Sequence, residues 1–211
     1  MFFSLDPNAL DQTRLYDILV TAITPRPIAF VSTISKAGAP NLGPYSFFMA
    51  GGANPPSLVY SPTINASGQK KHSLKNVEET GEFVVNTVTR EMAQGMNASS
   101  FEFPDAYDEW KVCGFQQVPS DKVKPARVGE SPVQFECKVF QIIQHGTKTG
   151  AACYVIGEVV KIHVSEDVWD GRAIDPAKFR PIARLGGPNY LDTSSLELFA
   201  LERPIGPGSP S

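Results

Sequence analysis

Lys70, Lys71, His72 and Lys75 stand close together in the stretch SPTINASGQKKHSLKNVEETG (61–81), with no acid among them before Glu78. The residues that follow, from Ser73 to Thr80, predict a helix that Ser73 caps and Gly81 ends. A helix start offers backbone N–H groups and the positive end of its dipole, and lysines beside it add charge. That combination suits one small anion such as a phosphate, with Lys71 and Ser73 as its first contacts. The plainer alternative, a solvated loop, stays open because lysine is usually exposed.

A second constellation spans residues 25–62. Arg26 lies between two prolines that stiffen its backbone and aim its guanidinium. Ser32 and Thr33 interrupt an apolar strand, and Asn41, Tyr45, Ser46, Phe47 and Phe48 crowd the strand after it. Small polar donors beside aromatic rings suit a planar heteroaromatic ligand, held by its edge and covered on its face. The same run also reads as ordinary core, the commoner use of aromatics on a strand.

Other chemistry finds less support. No G-x-G-x-x-G follows a strand, and no Walker A, H-E-x-x-H or G-x-S-x-G sequence occurs. Cys113, Cys137 and Cys153 are odd in number, widely spaced and without a C-x-x-C pair. They read as buried thiols, not as a disulfide framework or a metal site. Glu136, Glu158 and His163 are expected to be structural, and no side chain is assigned a catalytic role. His145 reads equally as a site residue or as an exposed turn residue.

These groups need elements to position them. The 211 residues carry 42% hydrophobic and 19% charged side chains, enough for one globular domain over 1–211. A net charge of -3 argues against a nucleic-acid partner. The N-terminus lacks a basic start and a long apolar core, and no run reaches the roughly 18 apolar residues of a membrane span. A soluble, cytoplasmic protein is therefore expected. With 17 glycines and 18 prolines between short apolar runs, strands should outnumber helices. A helix is expected over 8–20 and strands over 28–35, 42–50, 57–62, 82–88, 131–143 and 153–164. The strands over 131–143 and 153–164 alternate as half-buried strands do. Tyr154, Ile156, Val160, Ile162 and Val164 share one face, and Gly157 marks a bulge or a close backbone approach. Six strands with few helices and no βαβ rhythm point to a closed antiparallel barrel. The core runs from about 8 to 190, and residues 202–211 form a flexible tail.

The order of the segments ITPRPIAFVSTIS, NLGPYSFF, NPPSLVYSP, KKHSLKN and GEFVVNTV resembles the flavin reductase-like family of FMN-binding split barrels, which includes flavoredoxins. The resemblance continues through YVIGEVVKIHVSEDVWDG and RPIARLGGPNY. It implies a mainly β fold: a six-stranded Greek-key split barrel with a few short peripheral helices, in a homodimer that holds FMN near its interface. Ser32 and Thr33 would bond the ring or the phosphoribityl chain. Asn41 and Ser46, with backbone groups of Leu42, Gly43 and Tyr45, would meet the polar edge of the ring. Phe47 would take the place of a flavin-side aromatic. Lys71, His72 and Ser73 would form the phosphate site, with Arg26 as an additional candidate, and Arg184 and Tyr190 would lie near the flavin or the dimer contact. The family often reads K-D-T where this chain reads KHS, which makes the site more positive. The histidine that often precedes the family's G-E-V segment is missing at the close position. The activity implied is transfer of hydride or electrons from NAD(P)H through FMN to an acceptor. The alternative is a flavoredoxin-type electron carrier with tightly bound FMN and no nicotinamide site, and a third is a flavin-binding protein without redox turnover. The segment 95–130 would cover one side of the pocket, with Phe101, Phe103, Tyr107 and Trp110 as lid or dimer packing.

Overall fold

Proline and capping chemistry set the first helix. In the computed structural model, which describes residues 1–101, 103 and 108–195, α1 spans Gln12–Ala22. Asp11 caps it by accepting the Arg14 amide at 2.9 Å, and the helix ends before the Pro25 and Pro27 pair. The chain then runs β1 (Arg26–Pro27), β2 (Ala29–Ile34), β3 (Pro40–Tyr45), β4 (Phe48–Ala53), β5 (Pro56–Tyr60), α2 (His72–Thr80), β6 (Glu82–Asn86), α3 (Ala93–Ala98) and α4 (Glu109–Cys113). It continues through β7 (Gln117–Val118), β8 (Arg127–Val128), the long hairpin β9 (Val133–His145) and β10 (Ala152–Val164), β11 (Ile182–Arg184) and β12 (Tyr190–Asp192). The 202–211 tail and Tyr107 lie outside the described residues. No helix among the described residues is long and apolar enough to cross a membrane.

Seven strands form the main antiparallel sheet, in the order β3-β2-β6-β9-β10-β5-β4. Its outermost strands, β3 and β4, are separated in sequence only by Ser46 and Phe47. Such a short link can join opposite edges only if the sheet curls until they meet. The Phe47 carbonyl accepts the Ser61 amide at 2.8 Å, and the Tyr45 and Tyr60 rings lie 5.3 Å apart across the closure. The class is therefore the expected mainly β split barrel. The count is seven, not six, because the bend at Ser46–Phe47 divides the run read as one strand over 42–50.

Two apolar clusters hold the barrel. Ala29, Val31, Tyr60, Leu74, Val85 and Val155 fill one, and Phe30, Leu42, Met96, Trp110 and Val128 belong to the other. Strand β2 supplies both, which explains why Ala29–Thr33 are buried without alternation. Trp110, read from sequence as lid or dimer packing, is core, since α3 and α4 fold over that face of the sheet.

The expected alternation of β9 and β10 is changed in two ways. Gln134 and Glu136, on the polar face of β9, are buried as well. The segment before β9 covers them: the Asp121 and Lys122 amides donate to Glu136, and Gln134 donates to the Val128 carbonyl at 2.7 Å. On β10 the inward side is Cys153, Val155, Gly157 and Val159, whereas Tyr154 and Ile162 are exposed. Register shifts along the hairpin leave one extra residue on β9, Phe140, and one on β10, Val160. Gly157 is the expected close approach, as a Cβ there would lie 2.3 Å from Phe83 Cζ. All three cysteines are buried and unpaired, and burial pushes the Cys113 thiol up to about 11.

Candidate functional site

Helix α2 divides its side chains between core and solvent. Leu74 and Val77 pack into the barrel cluster, and Ser73 and Asn76 are buried beside them. That leaves Lys71, His72 and Lys75 toward an open cleft of about 360 Å³, whose other wall is β3 from Asn41 to Tyr45. The helix begins at His72, with Lys71 in extended geometry at the N-cap and no side-chain cap bond. Ser73, expected as the cap, is the second residue of the helix, two positions past the N-cap, because the backbone becomes helical before it. Gly81 ends the helix as expected, in the left-handed conformation at φ 70°.

The cleft's charge is uneven. Lys70 Nζ meets Glu78 Oε1 at 2.7 Å, so part of its charge is offset. Lys71 Nζ stands 6.0 Å from the Tyr45 ring centroid. Tyr45 OH and Ser73 Oγ are hydrogen-bonded to each other, which ties the middle of the cleft wall to the helix. Phe101, 70% exposed, and Phe103 stand at the rim. The cleft therefore offers cationic groups and a helix N-terminus at one end and aromatic surface near them.

Glu109, the first residue of α4, forms the floor of this corner. Its Oε1 accepts Asn41 Nδ2 at 2.7 Å and lies 3.8 Å from His72 Nδ1. Its Oε2 is buried without a hydrogen-bond partner. Burial pushes the Glu109 carboxyl above its ordinary value, against the opposing hydrogen bonds from its own backbone amide and from Asn41 and the pull of His72. Sequence reasoning missed Glu109. Its only local mark is a position just after Asp108, which caps α4 by accepting the Trp110 amide at 3.2 Å. Nothing in that spacing ties it to Asn41 or His72.

The remaining predicted residues fall into two further groups. Ser32 and Thr33 lie on β2, opposite Leu42 and Asn41 of β3. Thr33 Oγ1 accepts Asn76 Nδ2 at 3.0 Å and is 3.4 Å from Asn41 Oδ1, and Ser32 Oγ donates to the Ala126 carbonyl. They brace the cleft wall. Arg26, Ser46, Phe47, Arg184 and Tyr190 lie at or near the β3–β4 bend and do not line the cleft. Arg26 is buried and donates to the carbonyls of Val20, Ile23 (2.9 Å) and Leu185 (3.0 Å), with Ser46 Oγ at 3.4 Å from its Nε. These bonds clamp the end of α1 to the bend and give Arg26 a structural task. Phe47 packs edge-on to Tyr16 at 6.3 Å, and the Arg184 guanidinium covers the Tyr190 ring at 4.5 Å. Leu42, Gly43 and Tyr45 do line the cleft. His145 is exposed at the end of β9, away from it. His163 pairs with Glu136 at 2.6 Å.

The family described as flavin reductase like domain matches residues 21–178. An uncharacterised protein of Halalkalibacterium halodurans is 38% identical over 202 residues, covering 95% of this chain and 96% of the relative. The crystal structure of nitrilotriacetate monooxygenase component B from Bacillus cereus superposes with a TM-score of 0.89 at 30% identity, covering 95% of this chain and 99% of that one. The Pseudomonas fluorescens 2-nitrobenzoate 2-nitroreductase structure gives 0.84 at 28% identity, covering 98% and 100%.

Proposed function

Because this chain belongs to the flavin reductase-like family, we propose that it is an FMN-dependent oxidoreductase that moves hydride or electrons from NAD(P)H through FMN to an acceptor. The observation that carries this reading is the cleft corner where Lys71, His72 and Lys75 surround the N-terminus of α2 and face β3. Backbone amides, helix dipole and lysine charge converge there on one anion. The residues fit a flavin mononucleotide: a phosphate at α2, and a ring along Asn41–Tyr45 with Tyr45 and the rim aromatics beside it.

A bound flavin supplies the acceptor for hydride and the capacity to release electrons singly or in pairs. The chain's own part is to hold and orient it. Lys71 and the first turn of α2 would take the phosphate, and the backbone of Leu42–Tyr45 would meet the polar edge of the ring. The cleft is open, so a nicotinamide can reach the flavin without a dinucleotide domain of its own. The reading includes a homodimer, supported by the exposed Tyr16 and Leu19 on α1 and Ile23 just after it; light scattering at twice 22.9 kDa checks it.

Absorption spectroscopy tests the function. Purified protein given FMN and desalted should keep flavin bands that bleach anaerobically with NADH or NADPH. Lys71→Ala should weaken FMN about tenfold or more, the loss expected for a hydrogen bond to a charged group. Flavin that stays bound but bleaches with neither nicotinamide would point to an electron carrier. No binding at saturating FMN would remove the phosphate site.

A further inference from the structure

One carboxyl oxygen joins the two walls of the cleft. Asn41 on β3 donates to Glu109 Oε1 at 2.7 Å, and His72 Nδ1, at the start of α2, lies 3.8 Å from the same oxygen. Behind Asn41 the donors run one way. Asn76 of α2 donates to Thr33 Oγ1 at 3.0 Å, and Thr33 Oγ1 donates to Asn41 Oδ1 at 3.4 Å. Each donor in this chain points toward Glu109, so its Oε1 is held as an acceptor, and a charged ring at His72 is the partner that completes it. Glu109 is buried at 4% exposure, whereas the His72 side chain keeps 29% of its surface and lines the cleft. A ligand in the cleft can touch the histidine, and the acid acts on that ligand through the ring.

The other titratable side chains of the cleft are Lys70, Lys71 and Lys75, in or just before α2, and Tyr45 on β3. Lysine and tyrosine side chains ordinarily change charge only in alkaline solution, whereas an imidazole and a carboxyl group do so between acid and neutral pH. Lys70 is drawn to Glu78 at 2.7 Å. Asp108, which precedes Glu109, caps α4 and faces Lys111 at 3.5 Å. The His72–Glu109 pair is therefore the part of this corner whose charge changes over that range. It carries one positive charge when both groups are protonated and one negative charge when both are not. Burial moves the Glu109 carboxyl upward, toward the range in which imidazoles titrate. An anion seated on the first turn of α2 feels that change against a constant background of lysine charge.

We propose that Glu109 is a positioning residue that holds the His72 imidazolium beside the phosphate of the bound flavin, so that the histidine's contribution to flavin affinity is lost as the ring loses its proton. The inference rests on the FMN reading above. Under it, the cleft grips FMN through His72 in mildly acid solution and through the lysines and the helix start alone in alkaline solution.

The test is a double-mutant cycle run against pH. FMN dissociation constants are measured by flavin fluorescence for wild type, His72→Gln, Glu109→Gln and the double variant, from about pH 5.5 to about pH 8.5, with melting curves to establish folding. The phosphate of FMN itself titrates near roughly pH 6, but that effect is common to all four proteins and cancels in their ratios. His72→Gln should weaken FMN about fivefold at the acid end, the upper range for a partly exposed ion pair, and less than about 1.5-fold at the alkaline end. In the Glu109→Gln background the same change should cost about twofold or less at the acid end, because the ring is no longer held. A ratio between wild type and His72→Gln that stays flat with pH would overturn the inference while leaving the FMN reading standing. Equal losses in the two backgrounds would also overturn it, since Glu109 would then not act through His72. If Glu109→Gln does not fold, Glu109→Asp, which keeps the charge but withdraws it from the ring, takes its place. Failure of wild type to bind FMN at any pH would overturn both the inference and the reading beneath it.

Discussion

Glu136 and Glu109 are both buried, at 0% and 4% exposure, yet their surroundings differ. Glu136 has both oxygens engaged, by the Asp121 amide at 2.8 Å, the Lys122 amide at 2.6 Å and His163 at 2.6 Å. Burial pulls its carboxyl upward, but those bonds outweigh it and leave the group below its ordinary value. Glu109 has one oxygen engaged and one orphaned, and burial leaves it above its ordinary value. A buried acid whose donors all come from the fold is part of the fold. A buried acid left short of a donor carries the cost of its burial as a raised affinity for its proton.

The largest effect that could break this contrast is at Glu136. Glu136→Ala should cost about 3–5 kcal/mol, because it leaves buried donors without their charge partner. Denaturant midpoints measure the loss, and the surviving folded protein should keep its FMN affinity within about twofold. A loss under about 1 kcal/mol would make Glu136 no more structural than a surface residue. Its lowered value also fixes the sign of the pH effect. Its stabilisation is present above the ordinary carboxylate value and is lost as pH falls through the lowered one.

The sign reverses at Glu109. A raised value means that the folded state keeps its proton longer, so this group's contribution holds at acid pH and is lost as pH rises through the raised value. Glu109→Gln removes that loss. Without ligand, the variant's stability relative to wild type should rise from acid to neutral pH, by the order of 1 kcal/mol, the cost of one unsatisfied buried acceptor. A flat difference across that range would erase the distinction between the two acids.

The smallest effect concerns Ser73, expected from sequence to hold the phosphate directly. Its hydroxyl is buried and already bonded to Tyr45 OH. By the rule that separates Glu136 from Glu109, a satisfied group is structural. Ser73→Ala should therefore cost about 1 kcal/mol of stability and change FMN affinity less than about threefold. A tenfold loss of affinity, measured by fluorescence titration, would show that the rule fails at this cleft.

Much of this architecture was legible in residue order. The apolar run of β2 and the helix end at Gly81 each follow from local chemistry that a sequence displays. That Lys71 and His72 stand together at a helix start was legible because charge and helix start are neighbours in the chain. The bend at Ser46–Phe47 was hidden, since FFMA continues a strand pattern and the break is imposed by barrel closure. The two irregularities of the β9–β10 hairpin were half visible, through Gly157 alone. Glu109 was not visible at all. Its meaning depends on Asn41, 68 positions away in sequence, and on an oxygen without a partner, and only the folded chain creates either. Arg26 was legible as important but not as a clamp, because its partners are backbone carbonyls that carry no sequence signature.

The two-residue link between the outer strands also governs the order in which a newly made chain can assemble. The β2–β3 hairpin and α2, which frame the basic corner, are complete by Thr80. Strand β5 has one neighbour at once, β4, but its other neighbour is β10, where Ser57 lies opposite Glu158. Pairing across such a separation is slow compared with hairpin formation. During synthesis on a ribosome, the apolar edge of β5 therefore waits unpaired while roughly a hundred more residues emerge. That interval is when the chain is open to association with its neighbours. The glycines and alanines of the adjoining β4, Ala50 to Ala53, give such contacts little side-chain surface to grip.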